Sequence, residues 1–286
     1  MQKFEVRDHE PSLLPEGKKW KLVWNDEFDG TKLDETKWGY RLNYWGQRAG
    51  QYTDRGVALD GKGNVVFSPV VENGMVKSAQ LQTGGNSFDE LDLQGAVRNR
   101  LEGVNGDNPW GQIEIWPLRP LSEPKFMHRY GYYEARIRFQ RQYFWWSAFW
   151  LQSPSIGTTV NPAFSGVEND IVENFGGGKL TSGNIYGGYG KTFREEARVE
   201  YPYVEDGEYH RLGLEWNEKE YIFYFDGRQT AKSSSPVSQV EQFILLSTEV
   251  HGYRSGKPKT QWTEKELSDC FMCDYVRVFD EIKNDR

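Results

Sequence analysis

The chain has 286 residues, 27% of them charged, with 42 acidic against 35 basic side chains and a formal net charge of −7. That length allows one large domain with a sizeable core, and the acidic balance excludes a general binder of nucleic acid or anionic membrane. No stretch reaches the roughly 18 apolar residues of a membrane span.

Residues 1–19 are polar and are expected to run along the surface as an extension, followed by a single domain over 20–286. Residues 1–10 contain no apolar segment of the kind that directs export. The protein is therefore cytoplasmic, or its export signal stands outside this sequence. Short apolar or alternating runs follow at 20–24, 63–69, 130–139, 144–151, 209–216, 221–225, 243–250 and 275–279. The run 130–139 has the period of a strand, with Tyr133, Ala135, Ile137 and Phe139 on one face and Glu134, Arg136 and Arg138 on the other. Asp226-Gly227 is a hairpin signal after 221–225. No long window carries a helical stripe. Many short strands at this turn density predict an all-β sandwich or jelly roll, and a large curved sheet suits a polymer better than a small metabolite.

The segment 87–125 is the least regular. It is rich in Gly, Asn, Asp and Pro yet includes Trp110 and Trp116. It reads as the wall or lid of a cleft, as decoration, or as a short hairpin around 112–116. Cys270 and Cys273 form a CxxC pair that enters an apolar run. Positions three apart on a strand point to opposite faces, so two structural thiols without a disulfide are expected.

The densest chemical signal is Gly166-Val167-Glu168-Asn169-Asp170-Ile171-Val172-Glu173-Asn174-Phe175, three carboxylates within six residues. On a regular strand Glu168 and Asp170 share a face and Glu173 points away; one extra residue in a β-bulge returns Glu173 to their side. Val167, then Ile171 or Val172, then Phe175 fit the opposite, buried face. Clustered like charges repel and raise pKa values, so stability gives no reason for them. Glycoside hydrolysis does: a retaining enzyme needs an ionised nucleophile and a protonated acid, and a third carboxylate orients the first and helps hold the proton of the second. A solvated acidic edge and a calcium site are the plainer alternatives. Calcium, however, recruits loop carbonyls and loop Asn or Asp, whereas this triplet sits among apolar β-formers. Most of the 11 Trp are expected in the core and three or four on a sugar-stacking surface.

Glu168-Asn169-Asp170-Ile171-Val172-Glu173 resembles the ExDxxE signature of glycoside hydrolase family 16. Five further segments are similar to that family in order: 21–30 with Leu33 and Trp38 after it, 129–137, Trp146-Ser147-Ala148-Phe149-Trp150, the stretch 208–227, and 274–279. The resemblance runs from about residue 20 to 280. It implies a β-jelly-roll of two curved antiparallel sheets with a substrate cleft, and retaining, endo-acting hydrolysis of internal β-linkages. Position by position it makes Glu168 the nucleophile, Asp170 its assistant and Glu173 the acid/base, with a raised pKa. Trp146 is the candidate to stack near the cleaved bond, with Trp45, Trp110, Trp116 and Tyr186 as further sugar contacts. The chain departs from many members at Ser147, at Asn169, at Tyr186 and in an insertion before the triad. These departures leave the substrate open between β-1,3-glucan and a β-galactan such as agarose or porphyran. Arg41, Arg48, Arg194, Arg198 and Arg254 are expected to gather at the cleft only if the substrate is anionic. A transglycosylase would use the same residues, and a carbohydrate-binding relative would ordinarily have lost an acid. No cofactor is required, and a structural calcium is allowed. A secreted or periplasmic monomer acting on polysaccharide, without membrane insertion or nucleic acid, is the expectation.

Overall fold

A computed structural model of the protein describes residues 1–42, 51–86, 89, 99–100, 114–115, 121–143, 146–156, 159, 161–176, 179–186, 199–202, 207–234, 236–250 and 261–283. The alternating runs of the sequence become antiparallel strands in two large sheets. The eight-stranded sheet runs Arg228–Ser233, Tyr221–Phe225, His210–Trp216, Gly131–Arg138, Phe271–Glu281, Val65–Phe67 and Val57–Leu59, and Trp20–Asp26 also pairs with Phe271–Glu281. The seven-stranded sheet runs Val199–Pro202, Lys179–Tyr186, Val167–Asn174, Trp146–Gln152, Phe243–Glu249, Gln80–Gln82 and Gly39–Tyr40. Among the described residues the α-helices are two single turns, Pro162–Ser165 and Glu264–Leu267. This is the all-β jelly-roll sandwich expected from the sequence.

The main core lies between the sheets. Tyr133, Ala135, Ile137, Leu212, Leu214, Val276 and Val278 of one sheet meet Phe149, Leu151, Val167, Val172, Ile244 and Leu246 of the other, all essentially without solvent contact. Each such aliphatic or aromatic burial contributes about 1.5–3 kcal/mol. The hairpin at Asp226-Gly227 forms with φ of 45° and 75°, the left-handed pair that matches strand twist. Both cysteines are free thiols, and Cys273 is buried.

Residues 1–19 do more than run along the surface. Gln2–Phe4 pairs with Ser12–Leu14, and this hairpin packs on the outer face of the eight-stranded sheet. Leu14 joins Trp20, Tyr132, Tyr224 and Phe279 in a separate apolar cluster. Glu134, pointing outward as its alternation requires, is covered by the hairpin and accepts from the Leu13 N–H at 3.0 Å and from the Tyr275 hydroxyl at 2.8 Å. Within 87–125, the two-residue strand Asn99–Arg100 pairs antiparallel with Glu114–Ile115, a longer-range pairing than a short hairpin around 112–116.

Candidate active site

The strand Val167–Asn174 lies between Trp146–Gln152 and Lys179–Tyr186, and both registers break within it. Against Trp146–Gln152, Phe149 faces Val172 but Trp150 faces Asp170. Against Lys179–Tyr186, Gly183 faces Asp170 but Thr181 faces Glu173. One extra residue therefore sits at Ile171–Val172, a β-bulge. It sends both Ile171 and Val172 to the main core and turns Glu173 to the side of Glu168 and Asp170. The three carboxyl side chains lie on the face away from that core, only 7%, 4% and 3% exposed. The Ser182 hydroxyl donates to the Ile171 carbonyl inside the bulge at 2.6 Å. Gly166, at φ 77°, carries the chain from the helix Pro162–Ser165 into the strand; a Cβ there would run into Ser153.

Neighbouring strands complete the face. Ala148 stands opposite Glu173, and Trp150 opposite Asp170. The Trp150 indole N–H donates to Ser247 Oγ at 2.9 Å. Gln152 Nε2 donates to Glu168 Oε2 at 2.9 Å. Thr181 Oγ1 lies 3.4 Å from Glu173 Oε2, at the long end of a hydrogen bond. Tyr52, Ala148, Trp150, Phe243 and Leu245 form an apolar bed on this side. Trp146 is half-buried, with its ring 4.9 Å from that of Phe175 and Glu249 opposite it on the next strand. Glu249 accepts from the Tyr52 hydroxyl at 3.1 Å. Among the described residues no group of three or more His, Cys, Asp or Glu is disposed to hold a metal ion.

The sequence model for glycosyl hydrolases family 16 matches residues 120–266, which include this strand and its bulge. The chain belongs to that family. Among relatives, it is 24% identical over 91% of its length to "Glucan endo-1,3-beta-glucosidase A1" of Niallia circulans, and spans 38% of that protein. It is 23% identical over 93% of its length to "Beta-porphyranase B" of Phocaeicola plebeius, and spans 86% of that protein. Among solved structures, the laminarinase catalytic domain from Thermotoga maritima superposes with a TM-score of 0.64 at 22% identity, over 93% of this chain and all of that one. At that identity the superposition speaks for the fold.

Of the positions expected from the family 16 resemblance, the structure gathers Glu168, Asp170, Glu173 and Trp146 on one face. It puts Tyr186 on the other. Tyr186 faces Val167, whose side chain enters the main core, and packs there itself; strict alternation gives the position opposite Glu168 to Ile185. Phe175 was expected in the core, but the bulge shifts the phase, so Asn174 turns inward and Phe175 meets Trp146. Trp45, Trp110, Trp116, Arg48, Arg194, Arg198 and Arg254 lie outside the described residues. Arg41 is described and is 1% exposed. Its guanidinium binds Asp89 at 2.5 Å and Gln152 Oε1 at 3.2 Å, and lies 5.3 Å from the Trp150 ring centre.

Two departures from the family pattern have local explanations. Asn169 faces inward, donates to Asn184 Oδ1 at 2.8 Å and accepts from Gln242 Nε2 at 2.9 Å. A polar ladder thus replaces an apolar contact, and both the amide nitrogen and the amide oxygen of Asn169 gain a partner. Ser147 donates to Gln140 Oε1 at 2.7 Å. No local sequence signal announces Gln152, Glu249 or Tyr52 as part of this face; their partners are 16 to 197 residues away.

Proposed function

We propose that the chain is a retaining, endo-acting glycanase that cleaves internal β-linkages of a polysaccharide. The observation that carries the reading is the bulge that sets Glu168, Asp170 and Glu173 on one side of one strand, away from the main core. Glu168 and Glu173 stand opposite Ile185 and Thr181, four residues apart on the partner strand, so their backbones are about 13 Å apart at roughly 3.3 Å per residue. Two long side chains leaning inward from that separation fit the roughly 5–5.5 Å between carboxyl groups that double displacement uses.

Glu168 attacks the anomeric carbon while Glu173 gives its proton to the departing glycosidic oxygen. Glu173 then takes a proton from the water that releases the covalent intermediate, and the sugar regains its original configuration. Asp170, between them, orients Glu168, and its charge together with that of Glu168 favours the protonated form of Glu173. Trp146 offers a ring face to a sugar beside the reacting bond.

A β-1,3-glucan is the leading substrate, in keeping with the named activity of the Niallia circulans relative. Arg41, enclosed and engaged by Asp89 and Gln152, adds no sulfate ligand to the face. A β-galactan is the second reading, favoured by the 86% of the porphyranase that the chain spans. The test is incubation with laminarin, mixed-linkage glucan, agarose, porphyran and carrageenan, resolving products by size and following the first-formed anomer by NMR. Oligosaccharides with retained configuration are expected. An inverted first product removes the double displacement, and release of monosaccharide alone removes the endo action.

A further inference from the structure

Glu168 does not stand alone on its face. Gln152 is fully buried at the end of Trp146–Gln152 and donates from Nε2 to Glu168 Oε2 at 2.9 Å. Its other end is pinned twice: Oε1 accepts from Arg41 Nη2 at 3.2 Å and from Asn86 Nδ2. A guanidinium has donors and no acceptor, so only the amide oxygen can face it, and the amide nitrogen is left pointing at the carboxylate. Arg41 and Asn86 are themselves held by one carboxylate. Asp89 takes Arg41 Nε on Oδ1 at 2.5 Å and the Asn86 N–H on Oδ2 at 3.0 Å. Arg41 therefore polarises the amide from behind, while its own charge is balanced by Asp89.

We propose that Gln152, locked in one orientation by Arg41, Asn86 and Asp89, is a positioning residue that fixes the Glu168 carboxyl plane and holds Glu168 in its ionised form. The proposal rests on the assignment of Glu168 as nucleophile. A carboxylate flanked by two others is pushed toward protonation, which would disarm it. A donated hydrogen bond favours the charged form, and a donor already polarised by a cation favours it more. An amide set between the carboxylate and the guanidinium carries part of the pull of the cation to Glu168 through a neutral donor. Among the described residues, the charged and titratable groups placed about Glu168 are Asp170 and Glu173 on its own strand, and Arg41 and Asp89 behind Gln152. From Lys179–Tyr186 the facing residues Gly183 and Ile185 carry no charge.

The test is a carboxyl 13C NMR titration of the substrate-free protein, with the Glu168 signal assigned through Glu168→Gln. In Gln152→Met, which keeps the volume and loses the donor, the Glu168 midpoint is expected to rise by about one pH unit. Arg41→Lys, which keeps the pairing with Asp89 but not the fork geometry, is expected to move it the same way by less. The acid limb of kcat/KM on whichever polysaccharide is cleaved should follow, with KM within about twofold while kcat falls about tenfold near neutral pH. If the midpoint stays in place in the folded Gln152→Met protein, the proposal is overturned; if that variant does not fold, Arg41→Lys decides on the same reading. Full activity in Glu168→Ala with the titration shift present would remove the nucleophile assignment instead. An inactive Glu168→Ala with no titration shift would remove only the role of Gln152.

Discussion

On the outer face of the eight-stranded sheet, Glu27 meets Arg277 through hydrogen bonds of 2.9 and 2.7 Å. Glu215 meets Lys18 at 2.7 Å, and the N-terminal hairpin closes over Glu134. On the outer face of the seven-stranded sheet, three carboxylates share one side of one strand, and the groups that reach them among the described residues include an amide on Glu168 and a hydroxyl near Glu173. Both faces bury acids. One gives each a cation or several donors, whereas the other keeps like charges together at a cost in stability, which accords with the reactive role proposed for them. Substitutions should therefore separate the two faces: losses of activity on one side and losses of stability on the other.

The widest separation is expected between Glu168 and Arg277. Glu168→Ala should lose about 10⁴-fold or more in kcat, and Glu173→Ala about 10²–10⁴-fold on a natural linkage, with melting temperatures equal to or above wild type. Azide added with an activated glycoside should rescue Glu173→Ala and give a β-glycosyl azide, and Glu168→Ala, if rescued, should give the α product. Arg277→Met should leave kcat of the folded protein unchanged and cost about 3–5 kcal/mol in urea unfolding, because Glu27 stays buried without its partner. Loss of stability from Glu168→Ala equal to that from Arg277→Met would erase the distinction between the faces. Next in size is Ser182→Ala, which strips the donor from the Ile171 carbonyl in the bulge. It should cost about 1–2 kcal/mol and lower kcat severalfold, since the bulge aims Glu173; a pure stability loss would mean that the bulge holds its shape without Ser182.

The smallest effect belongs to Glu134. Burial pushes its carboxyl above the usual range, against the Tyr275 hydroxyl, the Leu13 N–H, Ser12 and the charge of Arg211, which pull it down. The folded state thus binds this proton more tightly than the unfolded chain. The stabilisation is complete below the unfolded value of about 4.3 and is lost as pH rises through the raised one. In Glu134→Gln the unfolding midpoint should vary less between pH of about 4 and about 7. An unaltered slope would assign that pH dependence to other groups.

The shared face of Glu168, Asp170 and Glu173 was legible because the backbone pattern that makes it is local. Three acids at offsets 0, 2 and 5 among apolar β-formers admit a shared face only with one extra residue, and the registers of both neighbouring strands contain it. The core face of Gly131–Arg138 was legible for the same reason, since alternation needs no partner. Tyr186 was misplaced because a tyrosine at a strand end suits either face, and only its pairing with Val167 decides. Phe175 was misplaced because the phase shift was not carried past Glu173. Gln152 and Asn86 were invisible, and Arg41 was read only as a candidate anion ligand, because the Arg41–Gln152 contact spans 111 positions and nothing local links these residues. The N-terminal hairpin was underestimated because its sequence is polar, while what it buries includes Leu14 and the side chains of another strand.

The extra residue in Val167–Asn174 also gives the strand an asymmetric tolerance to changes in length. Loss of residue 171 would turn the offsets 0, 2 and 5 into 0, 2 and 4, the phase of an unbroken strand, and all three carboxylates would still look the same way. Gain of a residue between Asp170 and Glu173 gives 0, 2 and 6, which an unbroken strand also puts on one face, but each neighbouring strand has a single residue between the partners of Asp170 and Glu173, so the rest of the strand must slip by two positions against both neighbours or bulge by a second residue. A shortened chain is thus expected to fold and keep measurable cleavage with Glu173 misaimed, while a lengthened one should lose more stability. Reading-frame-preserving losses and gains of one codon at this spot would then be unequal in their consequences, so the strand can shed a residue in evolution far more readily than it can acquire one.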